Sequence, residues 1–172
     1  RFLEGVDLRT KADIPRLDVD DYGSPEKVAA LLRAHWKVPQ GPIGNMIALV
    51  ERAGVIVAYS SLAGTSVSGV TFSIPGVPPI VLLNADKPAD RVRFTLAHEL
   101  GHLVMHKFPS SNMEDEANIF ASSFLMPAAD IRHSFIGRNK IDLALLGALK
   151  QEWRVSMQSL LMRAKSLGFI DD

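Results

Sequence analysis

The sequence predicts an α+β domain in which a small antiparallel sheet packs on several helices. Three short runs rich in aliphatic and β-branched residues, at 55–59, 69–73 and 79–84, lie in the middle of the chain. Segments containing glycine, serine and proline separate them. Runs with the 3.6-residue spacing of amphipathic helices lie on both sides. The 172 residues suit one domain with a good-sized core.

The first 23 residues are polar, charged and weakly periodic. We therefore predict an arm or linker over residues 1–23 and one domain over residues 24–172. Because the chain begins with Arg1 and not Met, we expect it to be a fragment or a processed product.

Two helices are predicted before the sheet. Ser24 has the side chain of an N-cap, and Pro25 suits the first helical position, so a helix is expected to about residue 36. A second helix is expected from Asn45 to about residue 53, where Gly54 ends it.

Further helices are predicted after the sheet. Residues 86–90 begin a largely apolar helix that continues to about residue 106, and a second amphipathic helix from about residue 113 is stopped by Pro127. Three more are expected over residues 128–135, 141–153 and 156–167.

Composition limits the classes of function. Nineteen basic and nineteen acidic residues give a net charge of zero, so we expect no nucleic-acid surface and no membrane patch. The chain has no cysteine, which excludes disulfides, thiol catalysis and thiolate metal sites and is compatible with a cytoplasmic location. No signal peptide and no apolar run of transmembrane length is visible.

The most informative motif is His98-Glu99-Leu100-Gly101-His102. Residues four apart lie one turn above each other on a helix, so the two imidazoles can bind one Zn²⁺ ion. Glu99 is placed beside the first ligand, where it can deprotonate the attacking water instead of binding the metal. The motif therefore predicts a zinc metallopeptidase.

The same pentapeptide also occurs by chance, so its surroundings matter. The helix is largely apolar, which would bury or half-bury both histidines, and a metal would satisfy both imidazoles at once. Gly101 in mid-helix costs about 1 kcal/mol relative to alanine, which a closely packed neighbour over that turn would explain. A strand or a ligand beside a metal site would be such a neighbour.

A third protein ligand is needed if one zinc position is to stay open for water. On the following helix Glu114 and Glu116 flank the apolar stripe while Asp115 points away, and the helical wheel does not choose between the two glutamates. The alternative is that this acidic first turn only complements the helix dipole.

Together these two segments resemble the ImmA/IrrE family of bacterial and phage metallo-endopeptidases. The resemblance rests on residues 93–106, Arg-Phe-Thr-Leu-Ala-His-Glu-Leu-Gly-His-Leu-Val-Met-His, and on Glu-Ala-Asn-x-Phe-Ala-x-x-Phe-Leu-Met-Pro at 116–127. It extends more weakly from about Pro25 to the C-terminal region. Phe124 stands where the family more often has leucine, a change in the core that does not affect the chemistry.

The resemblance implies a zincin-like fold with His98, His102 and Glu116 as zinc ligands and Glu99 as the catalytic base. It also implies a substrate, a helix-turn-helix repressor cut at one site to relieve repression in a stress or mobile-element response. A DNA-binding domain is expected ahead of many relatives, and one outside this chain is compatible with the polar opening arm. The alternative is a non-proteolytic zinc-binding sensor or interaction module of a transcriptional regulator or a toxin-antitoxin system.

For the other polar residues the sequence gives weaker evidence of a functional role. His106 lies one turn beyond His102, and we interpret it as structural because zinc would require the helix to bend. His133 could stabilise an oxyanion but has no positional constraint, and Arg93 and Arg163 are interpreted as anchors. Residues 63–68 are expected to leave one sheet edge open, where an extended peptide can add as a strand.

Overall fold

The computed structural model describes residues 11–138 and 140–171, and within them the predicted α+β class is confirmed. Ser24 is an N-cap as predicted and accepts a hydrogen bond from the backbone N–H of Lys27. Asn45, predicted as the start of the next helix, is its N-cap and accepts from the backbone N–H of Ala48. The helices are α1 (Val19–Tyr22), α2 (Pro25–His35), α3 (Met46–Arg52), α4 (Ala89–Met105), α5 (Met113–Leu125), α6 (Ala128–Ile131), α7 (Leu143–Trp153) and α8 (Met157–Ser166), with a 3₁₀ turn at Arg132–Ser134. The strands are β1 (Ile56–Ser60), β2 (Gly69–Phe72) and β3 (Ile80–Asn84).

The sheet is mixed, so the prediction of an antiparallel sheet was right for one strand pair and wrong for the other. Its order is β1-β3-β2, with β1 parallel to β3 and β2 antiparallel to β3. Residues 61–68 are too long a connection for a tight hairpin, so β2 does not pair with β1. The strand with the most buried side chains, β3, takes the centre through Val81 and Leu83, where both of its edges are paired.

Helix α4 lies between the sheet and α5, and small residues allow a close approach on both sides. A Cβ atom on Gly69 of β2 would lie 2.6 Å from Thr95 Cγ2 of α4, and a Cβ atom on Gly101 would lie 2.9 Å from the Phe120 ring of α5. A close neighbour over Gly101 is therefore present as predicted, but it is Phe120 of a helix and not the strand or ligand that was expected. These contacts bring β2 and α5 against the face of α4 that carries the histidine motif.

The arm predicted over residues 1–23 lies partly outside the described residues, so the boundary at residue 24 stays a prediction. From residue 11 onward the chain runs along the domain. The backbone N–H of Asp13 donates to Ala53 O at 2.7 Å, and that of Leu17 donates to Val104 O at 3.0 Å. This segment is thus attached to the C-terminal end of α4.

None of the helices within the described ranges is both long and apolar enough to cross a membrane.

Candidate metal centre

Two imidazoles of α4 meet over one turn of the helix. His98 and His102 are half-buried, and their Nε2 atoms lie 3.0 Å apart, as the four-residue spacing predicts. Both residues line the same cleft.

The carboxylate that joins them belongs to Glu114, in the first turn of α5. Its Oε2 lies 3.2 Å from His98 Nε2, and its Oε1 lies 3.3 Å from His102 Nε2. Ligand atoms about 2.0 Å from a tetrahedral zinc ion are roughly 3.3 Å apart, so these separations match the edges of such a site. Two imidazole nitrogens and a carboxylate oxygen are also donors that zinc prefers. The residues present therefore fit a metal ion.

Glu116 is placed elsewhere. Its Oε2 lies 2.9 Å from His106 Nε2, and its side chain is 25 % exposed, whereas that of Glu114 is 70 % exposed. Two residues along a helix are separated by about 200° around its axis, so the two glutamates lie on different sides of the apolar stripe. The structure thus brings His98 and His102 together but does not bring Glu116, the ligand inferred from the resemblance, into their group.

Each imidazole has a hydrogen-bond partner behind it. His98 Nδ1 lies 2.9 Å from Asn118 Oδ1, and His102 Nδ1 lies 2.9 Å from His106 Nδ1. Sequence reasoning did not identify Asn118. The signal that could have found it is its position four residues after Glu114, which places both side chains on one face of α5.

The protonation state of His102 favours metal binding at neutral pH. Burial, followed by the charge of His98, lowers the pKa of His102 to about 4 from the ordinary 6.5. The imidazole of His102 is therefore neutral at pH 7, and a nitrogen lone pair is available without the loss of a proton.

Glu99 lines the same cleft but does not belong to the metal-binding group. It is 9 % exposed, and its Oε2 accepts a hydrogen bond of 2.5 Å from the Thr71 hydroxyl of β2. Because the partner lies on the strand and not on α4, the carboxylate is directed along the wall between helix and sheet. This placement suits a base better than a ligand.

A cleft of about 440 Å³ runs between the sheet and the two helices. One side is formed by Gly69, Val70, Thr71 and Ser73 of β2 and its end, and the other by residues that include His98, Glu99, His102 and Glu114. Among the described residues β2 pairs only with β3, so its other edge is open. An extended chain in this cleft would pass both β2 and Glu99.

The remaining candidates lie outside the metal-binding group. Arg93 donates to Ile43 O at 2.5 Å, and Arg163 Nε donates to Met126 O at 2.9 Å, so both arginines anchor backbone carbonyls. His133 is exposed on the 3₁₀ turn and does not line the cleft. His106 lines the cleft but is hydrogen-bonded through both ring nitrogens.

Comparison with known proteins finds a family match over the segment that contains the metal-binding residues. The family model described as the IrrE N-terminal-like domain, peptidase family M78, matches residues 50–165. A solved structure of a Mycobacterium tuberculosis transcriptional regulator has 15 % sequence identity and a TM-score of 0.59 over 85 % of this chain, which shows a shared fold. The chain covers 49 % of that regulator, about half its length. A search of curated proteins found no match.

Proposed function

The chain belongs to the family of IrrE N-terminal-like domains, peptidase family M78, and from that premise we propose that it is a zinc-dependent endopeptidase. One observation carries the proposal. The motif histidines and a glutamate of the next helix lie at metal-ligand separations, while Glu99 beside them is held by a different element. A purely structural metal site has no use for such a carboxylate and normally has four protein ligands.

We assign zinc to His98, His102 and Glu114. Glu116, the residue implied by the resemblance, remains the alternative third ligand. The distances favour Glu114, since both of its carboxylate oxygens lie within 3.3 Å of the imidazole nitrogens, whereas Glu116 is bonded to His106.

Glu99 supplies the acid–base chemistry of this proposal. When bound, zinc polarises the scissile carbonyl and makes water acidic enough to act as a nucleophile near neutral pH. Thr71 donates to Oε2 of Glu99 and so holds the carboxylate in the cleft wall. The other oxygen, Oε1, takes the proton of the attacking water and passes it to the nitrogen of the leaving amine.

The open edge of β2 is the proposed binding site for the substrate backbone. An extended peptide adding there would hydrogen-bond to the backbone of Val70 to Ser73 and lie across the cleft. Main-chain pairing tolerates many sequences, so the substrate must offer an exposed extended segment. We propose that it is a helix-turn-helix transcriptional repressor, cut once to relieve repression, and that a DNA-binding domain outside this chain accompanies the peptidase in some contexts.

Glu99→Gln tests the reaction. The variant should keep the fold and about one zinc per chain, because zinc ligation does not use Glu99, but it should not cleave the repressor encoded beside the gene. Wild type should yield two fragments by mass spectrometry and lose activity with a chelator. Glu152→Gln, an exposed change on α7, is the matched control and should cleave normally. If Glu99→Gln relieves repression as well as wild type does, a non-proteolytic sensor or interaction module is the better description.

The third ligand is tested by a second pair of variants. Glu114→Gln should weaken zinc binding by orders of magnitude, because it removes a charged ligand, and Glu116→Gln should weaken it far less. Zinc affinity is measured by competition with a coloured chelator. The opposite ranking would assign the ligand to Glu116.

A further inference from the structure

A third imidazole lies directly behind the metal-binding pair. The side chain of His106 is only 7 % exposed, and both of its ring nitrogens are engaged. Nδ1 lies 2.9 Å from His102 Nδ1, and Nε2 lies 2.9 Å from Glu116 Oε2. Two imidazole nitrogens at this distance form a hydrogen bond only if one donates and the other accepts.

With a metal on His102 Nε2 and one proton on each ring, the ring positions leave one consistent arrangement of protons. His102 directs Nε2 toward His98 and Glu114, and a nitrogen that binds a metal must offer its lone pair. The proton of His102 then lies on Nδ1 and is donated to His106 Nδ1. The proton of His106 consequently lies on Nε2 and is donated to the Glu116 carboxylate.

We propose that His106 and Glu116 are positioning residues of the metal site, which hold His102 in the tautomer and ring orientation that direct its Nε2 into the cleft. This inference rests on the proposed function, because it presumes that His98 and His102 hold zinc. In this proposal the Glu116 carboxylate orients His102 by binding His106, and it is not a metal ligand.

The two metal-binding imidazoles are thereby oriented in different ways. His98 donates to the neutral amide oxygen of Asn118, whereas His102 donates to an imidazole that is itself bonded to a carboxylate. A chain that ends in a carboxylate polarises the imidazole more strongly than a single amide does. We therefore expect the loss of His106 to weaken the His102 side of the site.

Substitutions at His106 separate positioning from packing. His106→Phe keeps a ring of similar size but removes both nitrogens, and zinc affinity measured by chelator competition should fall about 10–100-fold, the usual effect of such outer partners. His106→Asn keeps an acceptor near the position of Nδ1 and should recover part of that loss. His133→Phe removes an exposed imidazole outside the cleft and should bind zinc as wild type does.

A spectroscopic readout tests the tautomer itself. In ¹⁵N-labelled, metal-free protein the neutral His102 ring should carry its proton mainly on Nδ1 in wild type and in His106→Asn, and should show mixed tautomers in His106→Phe. This measurement does not depend on zinc or on cleavage. Wild-type zinc affinity in His106→Phe, or an unchanged His102 spectrum, would overturn the proposal.

Glu116 is tested in combination. Because it acts through His106, Glu116→Ala should weaken zinc binding in the wild-type background and add nothing in the His106→Phe background. If Glu116→Ala costs orders of magnitude in both backgrounds while Glu114→Gln is silent, Glu116 is a ligand and the positioning role is refuted. That outcome would leave the peptidase proposal standing, since the latter depends on Glu99→Gln.

Discussion

The contact between α4 and α5 leads to a prediction about two matched glycines. Gly101 in α4 and Gly147 in α7 both lie in helix interiors, where replacement by alanine favours the helix by about 1 kcal/mol. A Cβ atom on Gly147 would meet only Met157 Cε, at an ordinary 3.5 Å. A Cβ atom on Gly101 would lie 2.9 Å from Phe120 Cδ1 and 3.4 Å from Ala117 Cα. The same substitution should therefore change stability in opposite directions.

The magnitude follows from which neighbours can move. Phe120 is fully buried and stacks on Phe124 with ring centroids 5.5 Å apart, so its ring cannot swing away. Overpacking costs about 1–3 kcal/mol, and a buried ring that cannot move places this site in the upper part of that range, at about 2–3 kcal/mol. After subtraction of the gain of about 1 kcal/mol in helix propensity, we expect Gly101→Ala to lower the free energy of unfolding by about 1–2 kcal/mol and Gly147→Ala to raise it by up to about 1 kcal/mol.

Urea unfolding, followed by circular dichroism with excess chelator present, measures both changes without a contribution from bound metal. The slope of the transition should stay the same in both variants. Since Glu114 is on α5, Gly101→Ala should also weaken zinc binding, whereas Gly147→Ala should not. Gly101→Ala as stable as wild type or more so would refute the reasoning, because it would mean that α4 and α5 separate at no cost.

Two further changes test contacts outside the site. Arg33 is buried and donates to Phe124 O at 2.8 Å, to Gly41 O at 2.9 Å and to Pro39 O at 2.5 Å. Arg33→Lys should lower the free energy of unfolding by about 2–3 kcal/mol, because one ammonium group cannot reach three carbonyls in the fork geometry of a guanidinium. A loss below about 0.5 kcal/mol in urea unfolding would contradict this. The hydrogen bond from Lys150 lowers the pKa of Asp90 below the ordinary 3.8, so its stabilisation is present above that pH and disappears as the pH falls through the lowered pKa. Thermal unfolding of wild type and Lys150→Met should therefore converge in acid, and a constant gap from neutral pH to acid would show that the pair is not the cause.

The histidine pair and the base could be predicted because they depend on local geometry. His98, Glu99 and His102 lie within five consecutive residues, and helical spacing alone directs the two imidazoles to one side. A close neighbour of Gly101 was also predictable, because a glycine in mid-helix has a cost in helix propensity that such a neighbour explains. Its identity as Phe120 was not, since the crossing of two helices is determined by packing across the whole domain.

The residues around the histidine pair could not be predicted from local geometry. Glu114 and Glu116 flank the same apolar stripe, and the angle at which α5 crosses α4 decides which of them reaches His98. Thr71 reaches Glu99 from a strand 28 positions earlier, so this hydrogen bond depends on sheet order. No strand order was predicted, and the parallel pairing of β1 with β3 was missed, because this pairing depends on long-range burial and not on the pattern within either strand.

The open edge of β2 also bears on behaviour in concentrated solution. Val70 and Phe72 on this strand and Ile74 just after it are exposed. An exposed apolar edge strand is available for pairing with an extended chain, including the same strand of another copy. The strand has only four residues, which limits the ladder that two copies could form. A domain that keeps this edge free is therefore prone to self-association. Phe72→Lys should reduce aggregation while leaving the backbone that lines the cleft in place.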